Sequence, residues 1–203
     1  MIYKIVCNGK NDLPLLYKKD ENEVIIACDG GYNVLKKMGV EIDYFFGDMD
    51  SINGNELDCK EKFIFNPIKD ETDLEISIKF VISKCNIDDE IVIYNATGGR
   101  LDHYQIAILL LEKYDKYNIK IVDENNMIYV LKCQLSNCVL KNDYRYLSIF
   151  NYYANTVITL KGFKYPLDKY LMNDFDTLCV SNEILDDKGY IESNNNLLII
   201  QSK

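Results

Sequence analysis

Two fold classes are predicted along these 203 residues: an α/β domain with a mainly parallel sheet flanked by helices over residues 1–123, then an all-β sandwich over residues 124–203. Three observations predict this. In the first part, short β-branched or aromatic runs alternate with apolar residues at helical spacing, as in strand–helix–strand units. Helical periodicity fades after Asp123. Beyond it, strand-like pieces follow one another with only turn residues between, as in a small antiparallel sandwich.

The strands expected in the first domain are Ile2–Val6, Val24–Cys28, Tyr44–Phe46, Phe63–Phe65, Ile91–Tyr94 and Ile119–Val122. Each stops at Gly, Asp, Asn or Pro, residues that turn the chain. Leu74, Ile78, Val81, Ile82 and Cys85 recur at helical spacing, as do Ile106, Leu109, Leu110, Tyr114 and Tyr117. Thr72 followed by Glu75 matches a capping box, so a helix is expected from Asp73. Asp102 is the expected N-cap of the second helix. In the sandwich the expected strands are Met127–Leu131, Cys138–Lys141, Tyr144–Phe150, Thr156–Leu160, Leu178–Val180, Tyr190–Glu192 and Leu197–Gln201. Lys141-Asn142-Asp143, Asp187-Lys188-Gly189 and Asn194-Asn195-Asn196 separate them as turns.

Composition narrows the function classes. Apolar residues make up 48%, enough for a core, and no apolar run approaches the eighteen or so residues of a membrane span. No membrane partner is expected. Met1–Gly9 reads as a first strand and turn rather than a signal peptide. The seven cysteines are odd in number and show no CxxC spacing, which argues against a disulfide framework or a zinc site and points to the reducing cytoplasm. The net charge of −9 is carried by one quarter of the chain. Between Glu41 and Glu90 stand fourteen Asp and Glu against five Lys, whereas the rest balances. Such a field repels nucleic acid, so no nucleic-acid partner is expected. It suits divalent cations or a cationic organic substrate, with a solvated acidic face as the alternative.

The polar motifs fall at the ends of the expected strands. Cys28-Asp29-Gly30-Gly31 follows the second, and Gly47-Asp48-Met49-Asp50-Ser51 the third. Asp70-Glu71-Thr72-Asp73 comes after the fourth, and Thr97-Gly98-Gly99-Arg100-Leu101-Asp102-His103 after the fifth. Open parallel sheets bind ligands at the carboxyl ends of their strands, so these loops are expected on one rim. Asp48 and Asp50 can face one hard cation, with Asp29 and Asp73 available to complete a carboxylate set. The Gly-Gly steps let backbone N–H groups approach an anion, and Arg100 offers a forked cation for phosphate. Singly, each motif has a plainer reading. Asp-Gly-Gly is a common turn, Asp-x-Asp also occurs in glycosyltransferases and phosphatases, and Thr72 and Asp102 can be helix caps. His103 near a helix start can be structural. No GxxxxGK[ST] loop is present, which excludes a P-loop enzyme.

Taken together, Asp29–Gly31, Gly47–Ser51, Asp70–Asp73 and Gly98–Asp102 resemble, in order and spacing, the motifs of the thiamine pyrophosphokinase family. Leu160-Lys161-Gly162-Phe163-Lys164-Tyr165-Pro166-Leu167 and Val180-Ser181-Asn182-Glu183 are similar to its C-terminal motifs. The resemblance runs from about Cys28 to the end. One departure is Glu41-Ile42-Asp43, where the family usually has a proline.

The resemblance implies an N-terminal ATP- and Mg2+-binding domain, a C-terminal β-sandwich, and a homodimer whose active sites are shared between subunits. It implies Asp48, Asp50 and Asp73 as metal ligands with Asp29 in or beside that shell. The ATP side comprises Asp29, Gly30, Gly31, Thr72, Gly98, Gly99, Arg100 and His103. Ser181, Asn182 and Tyr165 lie on the thiamine side. The implied reaction is ATP plus thiamine giving thiamine diphosphate plus AMP, with Arg100 on the phosphates and Asp73 or Asp102 orienting or deprotonating the hydroxyl. The rivals are a pyrophosphokinase for another hydroxymethyl heterocycle such as a pterin, an Asp-x-Asp nucleotide-sugar transferase, and a non-enzymatic binding module.

Overall fold

The computed structural model describes residues 1–52, 57–66, 68, 70–133, 136–173 and 176–203. The chain divides into two compact units, Met1–Glu124 and Asn125–Lys203.

The first unit contains β1 (Ile2–Val6), α1 (Leu13–Leu16), β2 (Glu23–Cys28), α2 (Gly31–Met38), β3 (Tyr44–Gly47), β4 (Glu61–Ile64), α3 (Asp73–Ile82), β5 (Glu90–Tyr94), α4 (Leu101–Lys113) and β6 (Asn118–Val122). Its strands lie in the order β4-β3-β2-β1-β5-β6. Every pairing is parallel, from Tyr44↔Glu61 at one side to Tyr94↔Val122 at the other. Runs such as Val24-Ile25-Ile26-Ala27-Cys28 are apolar on both pleat faces because helices cover both. Val6, Ile25, Ala27 and Phe45 face the side of Tyr32 and Leu35 from α2. On the opposite side, Phe80 of α3 packs against Tyr44 at 4.7 Å and Phe46 at 5.1 Å between ring centroids.

Two elements differ from expectation at their starts. The edge strand β4 begins at Glu61, earlier than the apolar run at Phe63, because Glu61 and Lys62 on a sheet edge stay in water. The helix α4 begins at Leu101 with Arg100 as its N-cap residue, so Asp102 lies inside the first turn rather than capping it. The apolar face of α4 is also shifted: Ala107, Ile108, Leu110 and Leu111 are buried, whereas Leu109 is exposed. Thr72 does cap α3, its Oγ1 accepting from the Glu75 N–H at 3.2 Å. The return half of the capping box is absent among the described bonds, because the Glu75 carboxylate is engaged by α4 and Tyr114.

The second unit contains β7 (Asn126–Leu131), β8 (Asn137–Leu140), β9 (Tyr146–Asn151), β10 (Val157–Lys161), β11 (Leu167–Leu171), β12 (Lys188–Ser193) and β13 (Leu197–Ser202). β13 pairs antiparallel with β7 and β9, and the second sheet runs β11-β10-β12-β8, also antiparallel. Their inner faces meet in one core that includes Leu147, Ile149, Leu197 and Ile199 from the first sheet and Val139, Ile158, Leu160 and Ile191 from the second. Alternation along β9 shows how period two sorts the faces, Leu147 and Ile149 being buried between less buried neighbours. Leu178–Val180 is not a strand: it forms a turn, with the Val180 N–H donating to the Thr177 carbonyl at 3.2 Å. The outer strand is β11 instead.

Glu75 tests how α3 and α4 are joined. It is buried, and its Oε1 accepts from Lys113 Nζ and, at 3.1 Å, from the Tyr114 hydroxyl. The Lys113 hydrogen bond holds this carboxyl below its usual value, against the opposing effect of burial. A depressed carboxyl stabilises the fold above its unfolded pKa, and that stabilisation is lost as pH falls through the folded value. Glu75→Gln is therefore expected to cost about 1 kcal/mol in urea unfolding at pH 7, discounted for the exposed Lys113 end. The gap from the parent should close below roughly pH 4. A gap that persists unchanged at pH 3 would show that packing, not charge, joins the helices.

Candidate active site

Because the strands of the first unit are parallel, the loops after β1, β2, β3 and β5 leave the same sheet edge. The strand order reverses between β1 and β5, the point where open α/β sheets leave a crevice for ligands. The chain after β1 is tied to the chain after β5. The Cys7 N–H donates to the Tyr94 carbonyl at 3.0 Å, Gly9 to Asn95 at 2.7 Å and Lys10 to Thr97 at 3.1 Å. The Asp12 N–H adds a bond to Asn95 Oδ1 at 3.3 Å. Asn95 is buried with φ 56°, a left-handed conformation that Asn tolerates better than most residues.

The acidic residues follow. Asp29 has φ 49°, and its N–H donates to the Phe46 carbonyl at 2.8 Å, which places it beside the end of β3. Its Oδ1 occupies the space where a side chain on Gly47 would begin: a Cβ there would lie 2.4 Å away. Glycine at 47 is thus the condition for Asp29 to lie next to Asp48. Asp48 Oδ1 accepts from the Asp50 N–H at 3.1 Å, and Asp50 Oδ1 accepts from the Ser51 hydroxyl at 2.8 Å. Met49 between them takes φ 71°, so the turn is tight and both carboxylates sit on it, Asp48 half-buried and Asp50 exposed. Asp73 opens α3. The Cys28 thiol at the end of β2 is pushed well up by its hydrogen bond with Cys7 and by burial, and both Asp29 and Asp73 add to the rise.

Gly30 and Gly31 begin α2, and the space over Gly30 is taken by the Asn8 side chain. The Thr72 hydroxyl is committed to its cap. Gly98 and Gly99 have φ 78° and 73° and lead into α4. Arg100 is exposed and grips Asp102 with two bonds, Nε to Oδ1 at 3.2 Å and Nη2 to Oδ2 at 2.6 Å. These bonds hold the Asp102 carboxyl down at about 2. His103 is exposed in the first turn of α4.

In the second unit a cavity of about 250 Å³ is lined by Tyr165, Leu167, Leu178, Val180 and Asn182. Asn182 is buried, and its side chain turns to the backbone of Tyr165. Oδ1 accepts the Tyr165 N–H at 3.0 Å, and Nδ2 donates to the Tyr165 carbonyl at 2.9 Å. The Asn182 backbone exchanges two bonds with Leu147, at 3.0 and 2.8 Å. This residue acts as a clamp that presents Tyr165, whose ring remains exposed. Ser181 is exposed, with φ 58° and its N–H on Ser148 Oγ at 3.0 Å. Glu183 is paired with Lys164 at 2.7 Å and Arg145 at 3.2 Å.

Sequence reasoning did not include the Asn8–Asp12 loop or Asn95 in the site. Their membership depends on β1 and β5 being neighbours, which only the sheet order reveals. Among the described residues, no helix is long and apolar enough to cross a membrane.

Two family models match the chain: thiamin pyrophosphokinase, catalytic domain, over residues 16–122, and thiamin pyrophosphokinase, vitamin B1 binding domain, over residues 135–198. The thiamine pyrophosphokinase of Bacillus subtilis (strain 168) is 34% identical, over 97% of this chain and 95% of that protein. A crystal structure of the thiamine pyrophosphokinase from B. subtilis superposes with a TM-score of 0.85 at 29% identity, covering 100% of this chain and 99% of that one. One of the thiamin pyrophosphokinase from Geobacillus thermodenitrificans gives 0.84 at 31% identity, covering 100% and 98%. Both units match their counterparts along nearly their whole length, and the chain belongs to the thiamine pyrophosphokinase family.

Proposed function

We propose that this chain transfers the pyrophosphoryl group of ATP to the hydroxyl of thiamine, with the triphosphate on the carboxyl edge of the parallel sheet. One observation supports this most: the loops after β2, β3 and β5 and the start of α3 bring four carboxylates, two Gly-Gly steps and one arginine to the same edge. The match of residues 135–198 to a vitamin B1 binding domain favours thiamine over a pterin as acceptor. An apolar cavity edged by an exposed tyrosine suits a flat heterocycle. The seven free cysteines support a reducing, cytoplasmic setting.

Asp48 and Asp50 hold magnesium in this reading, with Asp29 and Asp73 beside them. Asp48 and Asp50 offer two carboxylates on one turn, oxygen donors of the kind magnesium takes. Among the described residues no three acidic, cysteine or histidine side chains gather into one metal-binding group, so this pair would be the protein's share of the shell. Magnesium keeps waters and takes phosphate oxygens, so an open pair on a turn suits it. When bound, the metal neutralises charge on the triphosphate and polarises the phosphorus under attack.

The thiamine hydroxyl oxygen attacks the β-phosphorus, the bond from that phosphorus to the α–β bridging oxygen breaks, and AMP leaves with the bridging oxygen. Asp73 takes the hydroxyl proton. Asp102 is a poor base, because the Arg100 bonds keep it ionised down to about pH 2. Its role is to aim the Arg100 fork at phosphate, a role that a point charge would not fill. Gly30, Gly31, Gly98 and Gly99 lend backbone N–H groups to the phosphates. Two chains form a dimer in which the sandwich of one serves the ATP edge of the other. That assembly rests on the family resemblance.

Three measurements check these roles. Asp48→Asn and Asp50→Asn should each lower turnover by about a hundredfold or more with an unchanged urea midpoint, since each removes a charged metal ligand. Near-normal turnover at saturating magnesium would remove both from the metal shell.

The pH profile separates the two candidate bases. A group held at about 2 is fully ionised from pH 4 upward, so Asp102 contributes no acid limb above that. Asp102→Asn should reduce kcat/KM while leaving the apparent pKa of the acid limb in place. A limb that disappears in this variant would make Asp102 the base.

Subunit sharing is tested by mixing an Asp50→Asn protein with a Ser181→Trp protein under exchange conditions. About half the dimers are then mixed and each holds one intact site, so roughly a quarter of normal activity should return. Background activity after proven exchange would place each site within one chain.

A further inference from the structure

Lys10 is the one cation in the loop after β1, and that loop stands where the sheet order reverses. Its N–H is bonded to Thr97, and its stem lies across Gly98. A Cβ on Gly98 would stand 2.8 Å from Lys10 Cβ and 3.8 Å from both Cγ and Cδ. Gly98 thus meets two demands at once, a φ of 78° and room for the lysine stem. The lysine runs over the first glycine of Gly98-Gly99-Arg100.

The Lys10 side chain is 54% exposed, and its ammonium group sits between two carboxylates, Asp12 Oδ1 at 3.2 Å and Glu124 Oε2 at 3.3 Å. Asp12 is a fixed partner: it is buried, its N–H is held by Asn95 Oδ1, and its Oδ2 accepts from the Glu124 N–H at 3.4 Å. Both pairings of the ammonium are longer than a tight charged hydrogen bond, and water reaches it. A lysine with four rotatable stem bonds, parked weakly beside a glycine loop, can turn to a stronger anion without moving the backbone.

We propose that Lys10 is a second phosphate-binding cation, contacting the triphosphate from the β1 side of the cleft while Arg100 contacts it from the β5 side. The proposal rests on the reading above that the Gly98–Arg100 loop receives the phosphates of ATP. Asp12 and Glu124 keep the ammonium over the loop until the nucleotide arrives.

The test compares Lys10→Met, Lys10→Arg, Glu124→Gln and Arg100→Gln. Lys10→Met keeps the stem over Gly98 and removes the charge. The readouts are the Kd of α,β-methylene-ATP with magnesium and the KM of thiamine. Lys10→Met should weaken the analogue about tenfold, leave the thiamine KM within about twofold, and flatten the salt dependence of binding. Lys10→Arg should recover most of the affinity. Glu124→Gln should leave it equal or tighter, because the ammonium is released. If Lys10 only braces its loop, Lys10→Met and Glu124→Gln should lose affinity together, and that result overturns the proposal. Unchanged affinity in Lys10→Met also overturns it, provided Arg100→Gln weakens binding. If neither variant weakens the analogue, the phosphate reading of the glycine loop falls with it.

Discussion

In the first unit β1 is hydrogen-bonded on both sides, to β2 by the register Ile2↔Glu23 and to β5 by Ile2↔Glu90. The strand order runs one way from β1 to β4 and the other way from β5 to β6. The switch point between β1 and β5 is a product of this strand order, and the segments leaving the two strands stay joined by backbone bonds as far as Lys10 and Thr97. Asp29, Asp48 and the glycines around Arg100 gain their proximity from this arrangement. None is near the others in sequence. A slip of one residue between β1 and β5 would turn Ile5 out of its face of the core and carry Asn95 away from Gly9 and Asp12.

At the crevice, backbone geometry sets the side-chain chemistry. Positive φ at Asp29, Met49, Asn95, Gly98 and Gly99 marks a rim of tight turns, and such conformations persist only where the surrounding sheet fixes them. The tightness is what brings a carboxylate over Gly47 and a lysine stem over Gly98. Each contact needs a missing Cβ on one partner. The two glycines sit at the ends of different motifs, yet they serve the same purpose of letting a charged side chain lie flat on a loop.

Much of this was legible in the sequence. The β-branched runs announced the parallel strands, Thr72 announced its helix, and the Asp and Gly motifs fell where strands end. What escaped has physical reasons. β11 was missed because Lys169 has φ 46° and the register slips between Ile158 and Leu160, so its side chains do not alternate cleanly. α2 was hidden behind its opening Gly30-Gly31, although Lys36, Lys37 and a left-handed Gly39 mark its end. Leu178–Val180 carries the apolar character of a strand but lines a cavity from a turn. Lys10 and Asn95 gave no local signal, since their importance comes from which strands are neighbours. The Ser181-Asn182 pair was legible as a motif, but the inward turn of the Asn182 amide was not.

That amide has a consequence for how the cavity can change. The Asn182 side chain holds residue 165 through its N–H and carbonyl, groups that most amino acids possess, and its Oδ1 also accepts the Glu183 N–H at 2.9 Å. The clamp is therefore indifferent to the side chain it presents. The outer strands can keep their shape while the ring at 165 is exchanged for a larger, smaller or more polar group. Residue 165 is thus an interchangeable fitting on a fixed mount, its exposed ring free to change while the backbone around it keeps its shape.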